Sequence, residues 1–575
     1  MKQRINKQQA IKTFLLPLIS FSLMGCGGDS TTSGSKDTTP PQITLKGNTN
    51  ISVTIGNTYG DAGATASDDV DGDISGNIVI GGDTVDTKKI GKYTITYDVS
   101  DKAKNKATQV RRIVHITAPW EHGNLKVKET MLQHEDGTGF FWMADTAWNL
   151  YLKSEKDIDL YLTDRAKKKF TVIQAVAMHS HWSHTGGDVN GIYPYEGGKH
   201  PNAEGATPNE TYWKHIDYMI SKAEEKGLYV ALLPVWHHAI IDKTFTEPKD
   251  ASKFGKWIAN RYKDRKNIIW VVGGDTRANA TRAAENMTAA QEVAIWNALG
   301  STLKSVDANH LITFHPLRII PSKVFSKPKW LAFNMLQSAR ETTIDAITQV
   351  QDAMKEKLPV VDGESLYENF GEVAKGGEAD RRTPYQVRDD AYSQLFAGAF
   401  GNTYGHGSIF QFWEETIPAV CTGWNCTPNM TWKQALNAPG GVQMQYVTEL
   451  MQSRPIVGRV SDQSLIVGTP KATAYAGIVA TKGVGYAMIY TAHGEDINVQ
   501  LGKVSGTEVK AWWYNPRDGK SIEIGEFENS GTHIFETPGE PTAKPTTYGD
   551  LTIRDGNDWI LVLDDKSKGF LAPGK

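Results

Sequence analysis

Between about residues 120 and 455, buried-type strands alternate with amphipathic helices, and this rhythm restricts the possible folds more than any other feature. Short apolar runs fall at residues 140–144, 172–178, 229–235 and 268–272, then at 311–314, 331–335, 359–361 and 409–412. Helical stretches separate them, for example 211–226 and 289–306. Parallel strands need helical crossovers, so this alternation predicts α/β architecture. Eight such units predict a closed (β/α)8 TIM barrel. An open doubly wound sheet usually opens on a Gly-rich first turn, and none is present.

A chain of 575 residues exceeds one hydrophobic core, so further domains are expected on either side. Residues 40–118 alternate in the β manner, with runs such as Ile51-Ser-Val-Thr-Ile and Tyr93-Thr-Ile-Thr-Tyr separated by Gly, Asp and Asn turns. Ala66-Ser-Asp-Asp-Val-Asp-Gly-Asp-Ile and Gly91-Lys-Tyr-Thr-Ile-Thr-Tyr-Asp-Val-Ser-Asp-Lys-Ala resemble a bacterial surface Ig-like β-sandwich. The Asp-rich stretch from Asp68 to Asp73 lacks EF-hand spacing and reads as a turn with Asx caps. Residues 456–566 return to β patterning, and Lys510-Ala-Trp-Trp-Tyr-Asn-Pro-Arg-Asp-Gly resembles a C-terminal β-sandwich of the collagen-binding type. The expected layout is a central barrel (119–455) flanked by an Ig-like β-domain (40–118) and a C-terminal β-sandwich (456–566), with a tail at 567–575.

Lys2, Arg4 and Lys7 precede an apolar run from Phe14 to Leu23, a secretory pattern too short to span a bilayer. Leu23-Met-Gly-Cys26 resembles a lipobox, which implies a lipoprotein signal peptide (1–25), lipidation of Cys26 and a flexible tether (26–39). The expected location is the cell envelope, lipid-anchored at the outer membrane or cell surface. Cys421 and Cys426 then remain as a pair able to close a disulfide in an oxidising compartment. The formal net charge of -3 carries no basic excess, so no nucleic-acid partner is expected.

In barrel enzymes the chemistry sits at the C-terminal strand ends. All eight runs end in polar or aromatic residues, and the glycine-flanked carboxylates Asp275 and Glu364 follow runs four and seven, on opposite walls. A carboxylate pair across the mouth is what glycoside hydrolysis requires. Runs one to three end near Asp145 and Trp148, then His179 and His181, then Trp236 and His237; runs five and six end in His315, then Asn334 and Gln337. Tyr367 follows run seven and Trp413 run eight, with Glu368 and Glu414 as supporting carboxylates. The histidines lack zinc-ligand spacing, so no metal and no cofactor are expected.

Phe140-Phe-Trp-Met-Ala-Asp-Thr-Ala-Trp148, Val172-Ile-Gln-Ala175, Asn267-Ile-Ile-Trp-Val-Val-Gly-Gly-Asp275 and Pro359-Val-Val-Asp-Gly-Glu-Ser-Leu-Tyr-Glu368 together resemble the apiosidase-like barrel of glycoside hydrolase family 140. The resemblance spans about residues 120–565. It implies a retaining hydrolase of plant or algal cell-wall polysaccharide that releases apiose-linked side chains of pectin. Asp275 would be the acid/base and Glu364 the nucleophile. Asp145, Trp148, Gln174, His179, His181, Trp236, His237, His315, Asn334, Tyr367 and Trp413 would shape the sugar pocket around them. The rival reading is a non-catalytic surface adhesin that binds glycan or collagen. A third, a lyase or metal-dependent hydrolase, would centre on the histidines.

Overall fold

The computed structural model describes residues 36–55, 59–178, 187–241, 243–276, 287–338, 343–371, 381–416, 428–468, 477–543 and 553–575. Cys26, His179, His181, Cys421 and Cys426 lie outside them. Among the described residues, no helix is long and apolar enough to cross a membrane.

The chain divides into two compact units. Of the described residues, the first comprises 36–48, 62–81 and 96–111 and carries an antiparallel sheet of Gln42–Leu45, Ala64–Asp68 and Gly72–Asp73. Its Asp-rich turn is built by Asx bonds: Asp68 Oδ1 accepts from the Val70 and Asp71 amides at 3.0 and 2.9 Å, and Asp73 Oδ1 from Ser75 at 2.9 Å. In the second unit, Asn50–Thr54 runs parallel to residues 113–117, with Ile51 beside Val114 and Val53 beside Ile116.

The centre of the second unit is a near-closed barrel of eight parallel strands. They are β1 (Trp142–Thr146), β2 (Val172–Val176), β3 (Tyr229–Leu233), β4 (Ile268–Thr276), β5 (Ile312–Pro316), β6 (Asn334–Gln337), β7 (Val360–Glu364) and β8 (Gly401–His406). Pairing runs β5-β4-β3-β2-β1-β8-β7-β6. The seam between β5 and β6 is drawn together where the Ala332 amide donates to Ile312 O at 2.8 Å and Thr313 Oγ1 donates to Phe333 O at 2.7 Å.

The two-residue period of each strand sorts its side chains between two cores. Val172, Val176, Ala231, Leu233, Ile269, Val271 and Met335 join one of them. Ile173, Ala175, Val230, Leu232, Trp270 and Val272 join the other, against the surrounding helices. Helix Glu210–Glu225 is typical: Asn209 caps its start, and Trp213, Ile216, Met219 and Ile220 form its buried stripe.

Strand β8 corrects the expectation that residues 409–412 form the eighth strand. The strand is Gly401-Asn-Thr-Tyr-Gly-His406, which carries almost no apolar signal because its polar groups are satisfied internally. Thr403 Oγ1 accepts from Trp142 Nε1 at 3.1 Å, and Tyr404 donates to Glu368. Gly401 packs so tightly on β1 that a Cβ there would lie 2.3 Å from Trp142 O. The apolar run that follows is a turn, with the Phe412 ring 5.1 Å from Tyr161 of helix Glu155–Lys167.

Beyond the barrel, an antiparallel sheet runs in the order Val460–Ser461, Ile478–Gly483, Tyr486–Thr491, Trp559–Asp565, Glu508–Tyr514, Ser521–Glu528. Ile497–Gln500 pairs separately with Thr532–Phe535. Barrel helix Pro384–Ala397 docks on this domain: Tyr392 stacks on Tyr490 at 5.4 Å, and Arg388 holds Asp558 through two bonds of 2.9 and 2.8 Å.

Candidate active site

Two β-bulges shape the C-terminal mouth. On β4, Gly273 lies beside His315 but Thr276 lies beside Pro316, so Gly274 and Asp275 are pushed out of the ladder. Gly273, Gly274 and Asp275 have φ of 96°, 118° and 49°. Asp275 is thus held in the left-handed region that a side chain rarely adopts. On β7, Leu336 lies beside Asp362 and Gln337 beside Glu364, which skips Gly363. A Cβ on Gly363 would meet Met335 Cγ at 2.4 Å. Each glycine lets the backbone turn where a carboxylate must be aimed inward.

The two carboxylates meet. Gln337 Nε2 donates to Asp275 Oδ1 and also to Glu364 Oε2, the latter at 2.9 Å. His315, on β5 between them, accepts from the Asp275 amide at Nδ1 (3.4 Å) and places Nε2 3.3 Å from Glu364 Oε2. That second approach lacks the alignment of a full hydrogen bond. Oxygen or nitrogen atoms of Asp275, His315 and Glu364 all lie within 4.8 Å of one another.

The groups behind Glu364 are fixed in turn. Asp362 Oδ1 accepts the Glu364 amide at 3.0 Å, and from β2 Gln174 Nε2 donates to Gly363 O at 2.5 Å. Burial raises the Asp362 carboxyl above the usual carboxylate range. Trp148, Trp236 and His315 form a wall beside the pair, with ring centroids 5.0 Å apart for the tryptophans and 5.3 and 5.5 Å from each to His315. His237 follows Trp236, half-buried at 6.3 Å between centroids. Trp236 also lines a cavity of about 120 Å³ with Met178, Tyr193, His200, Val235 and Ala239. Burial, and then the charge of Glu364, holds the Tyr367 phenol well above its ordinary range, so it presents a neutral hydroxyl at neutral pH.

Two expected sugar contacts lie elsewhere. Asp145 is turned outward, where its Oδ2 accepts from Tyr161 Oη and Arg165 Nε at 2.5 Å each. It alternates with the inward positions of β1 and therefore serves the helix layer. Asn334 faces away likewise, its Oδ1 accepting the Ser322 amide at 2.9 Å. Trp413 is beyond the turn that follows β8, where its carbonyl accepts the Trp432 amide at 3.0 Å. Glu368 accepts the Gly440 and Gly441 amides at 3.0 and 3.2 Å at the start of helix Pro439–Gln452, and Glu414 accepts Trp432 Nε1 at 2.8 Å. Gln337, which the sequence reading left out of the sugar pocket, is the residue that bridges the carboxylates.

Asp275, His315 and Glu364 are spaced to hold a metal ion. However, the Gln337 amide points its N–H groups at both carboxylates, and a cation between those oxygens would face the positive ends of these dipoles. The donor set suits a carboxylate pair better. A larger cavity of about 310 Å³ opens by Phe140, Phe141 and Thr171 at the opposite strand ends, and it has no carboxylate in its lining.

Comparison with known proteins accords with this geometry. Residues 126–458 match the model described as "Apiosidase-like, catalytic domain". Residues 460–564 match a collagen-binding-like domain, and 43–116 the "Bacterial surface protein, Ig-like domain". Among solved structures, the chain is 30% identical to a glycoside hydrolase family 5 protein from Bacteroides vulgatus, over 79% of this chain and 96% of that one, with a TM-score of 0.69. It is 33% identical to a second structure named as a glycoside hydrolase, over 79% and 100% of the two chains, with a TM-score of 0.68. No curated protein shows a significant match. A catalytic-domain match over more than half of the chain sets aside the adhesin reading: the protein is a glycoside hydrolase and belongs to the apiosidase-like catalytic-domain family.

Proposed function

We propose that the enzyme is a retaining, apiosidase-like hydrolase of plant or algal cell-wall polysaccharide, with Asp275 as acid/base and Glu364 as nucleophile. The observation that carries this is the single Gln337 amide donating to both carboxylates. Retaining pairs stand ~5–5.5 Å apart and inverting pairs ~6.5–9.5 Å, because inversion must admit a water. Two carboxylates that share one donor stand on the short side of that division.

In the first step Glu364 bonds to the anomeric carbon while Asp275 gives its proton to the departing glycosidic oxygen. In the second, Asp275 takes a proton from water, the water oxygen bonds to the anomeric carbon, and the ester to Glu364 breaks. Trp148 and Trp236, buried side by side against His315, give the pair an apolar backing that excludes water. We infer in addition that Cys26 is lipidated and anchors the enzyme at the cell surface, where polymeric substrate is met.

The test is incubation with a panel of plant and algal wall polysaccharides, with Glu364→Gln in parallel. Proton NMR then reads the configuration of the first sugar released. Release by the wild type alone, with configuration kept, is expected. Inverted product, or equal release by Glu364→Gln, would overturn the assignment.

A further inference from the structure

We propose that the first unit holds a divalent hard cation, best matched by Ca²⁺, between Asp37, Asp68 and Asp101. One oxygen atom from each of these residues lies within 4.8 Å of those from the other two. They come from three separate stretches: the segment before strand Gln42–Leu45, the end of strand Ala64–Asp68, and the loop after residue 98. All three belong to the same unit.

Proximity of acidic groups alone is not a site. Here the hydrogen-bond inventory of Asp68 supplies an independent sign. Asp68 is only 9% exposed. Its Oδ1 is taken by the two Asx amides. Its Oδ2 is buried with no hydrogen-bond partner, and so is Asp37 Oδ2. A buried carboxylate oxygen without a partner carries a large desolvation penalty unless something positive meets it.

No side chain fills that role. Among the described residues, no ion pair reaches Asp37, Asp68 or Asp101, and the neighbouring Lys102 directs its ammonium to Asp71 at 3.1 Å. Asp101 is fixed beforehand by Asn105, whose amide and Nδ2 each donate at 2.7 Å. The same Nδ2 reaches Asp37 O at 3.2 Å, which holds the Asp37 segment against the loop.

The chemistry of the donors selects the ion. Three carboxylates with no nitrogen or sulfur suit a hard cation. Ca²⁺ binds oxygen at ~2.3–2.6 Å, so its ligands lie up to roughly 5 Å apart, and it accepts irregular shells completed by water. Mg²⁺ demands a tighter, near-ideal octahedron. The bound ion would tie Asp37, just before the first strand, to the Asp68 turn and the Asp101 loop of the Ig-like module.

The experiment is calorimetric titration of the full chain, stripped with EDTA, with CaCl₂. One site is expected, with a Kd on the order of 10⁻⁴–10⁻³ M, the range of extracellular Ca²⁺ modules. Asp68→Asn and Asp37→Asn should each weaken binding at least ~10-fold, and Asp37→Asn tests the site without altering the sheet. Glu364→Gln should leave binding unchanged. Absence of binding at about 5 mM Ca²⁺ would overturn the proposal. So would full affinity in both Asp variants, or loss of binding in Glu364→Gln, which would put the ion in the barrel mouth.

Discussion

His315 Nε2 stands 3.3 Å from Glu364 Oε2 while its Nδ1 accepts the Asp275 amide at 3.4 Å. An Nδ1 that accepts leaves the proton of the neutral ring on Nε2, on the side of Glu364. Small movement on substrate binding would complete that bond, as catalytic contacts often tighten only in the complex. A hydrogen bond to a charged group contributes about 1.5–3 kcal/mol, or roughly 10–150-fold. His315→Ala is therefore expected to lower kcat/KM by that factor, measured as sugar release. Turnover within twofold of wild type would remove His315 from the mechanism.

Gln337 and Asn334 make a sharper pair. Both are polar and both lie on β6, yet three positions apart on a strand means opposite faces. Gln337→Leu removes the donor shared by the two carboxylates and should reduce kcat at least ~10-fold. Asn334→Leu instead strands the Ser322 amide, which costs about 1–3 kcal/mol of stability and leaves KM unchanged. Kinetics and melting curves of both variants decide it; the reverse pattern would mean that β6 is registered differently.

The barrel was legible in the sequence because seven of its strands are apolar runs, and a run needs no tertiary information to be seen. β8 was not, since Asn402, Thr403 and Tyr404 are buried but polar, satisfied by partners that only the closed barrel supplies. Asp275 and Glu364 were legible through their glycines. The roles of Asp145, Asn334 and Gln337 depend on which face of a strand they occupy, and β1 and β6 are buried on both faces, so polarity alone does not tell the faces apart. Arg165, which claims Asp145, is 20 residues away on a helix and leaves no local mark on β1.

Asp145 supplies a test that separates support from binding. Its partner Arg165 is fully buried, so Asp145→Ala removes the buried counter-charge and leaves the guanidinium only the partly exposed Asp164, at 2.8 Å. Breaking a buried pair from one side costs about 3–5 kcal/mol. The variant should melt well below the wild type, while the fraction that stays folded keeps its KM. A raised KM at unchanged melting temperature would return Asp145 to the sugar pocket.

Asp390 gives a pH prediction. Burial, and then the neighbouring Asp362, pushes its carboxyl up to about 8. In the unfolded chain it would ionise near ~4. The folded state therefore keeps a proton that the unfolded state releases. Its favourable contribution is complete below ~4 and declines by as much as ~1.4 kcal/mol per pH unit up to about 8. Asp390→Asn keeps an acceptor for Gln394 Nε2, now at 2.8 Å, and cannot ionise. Its melting temperature should fall less between pH 5 and 8 and exceed that of wild type at pH 8. Parallel curves would show that Asp390 is ionised in the folded enzyme.

Gly274 ties backbone geometry to turnover. At φ 118° a side chain is strained, and a Cβ would lie 2.6 Å from the Trp236 ring. Gly274→Ala must therefore move the bulge, and Asp275 with it, away from Gln337 and Glu364. Misplacing a reacting group by about 1 Å costs on the order of 10²-fold in rate. Gly137→Ala is the control: its φ is 92°, yet a Cβ there meets nothing within 4 Å, and the residue lies in the turn before residue 140. Both variants should lose stability through backbone strain, but only Gly274→Ala should lose about 10²-fold in kcat. Equal kcat in the two would mean that the β4 bulge does not position Asp275 for turnover.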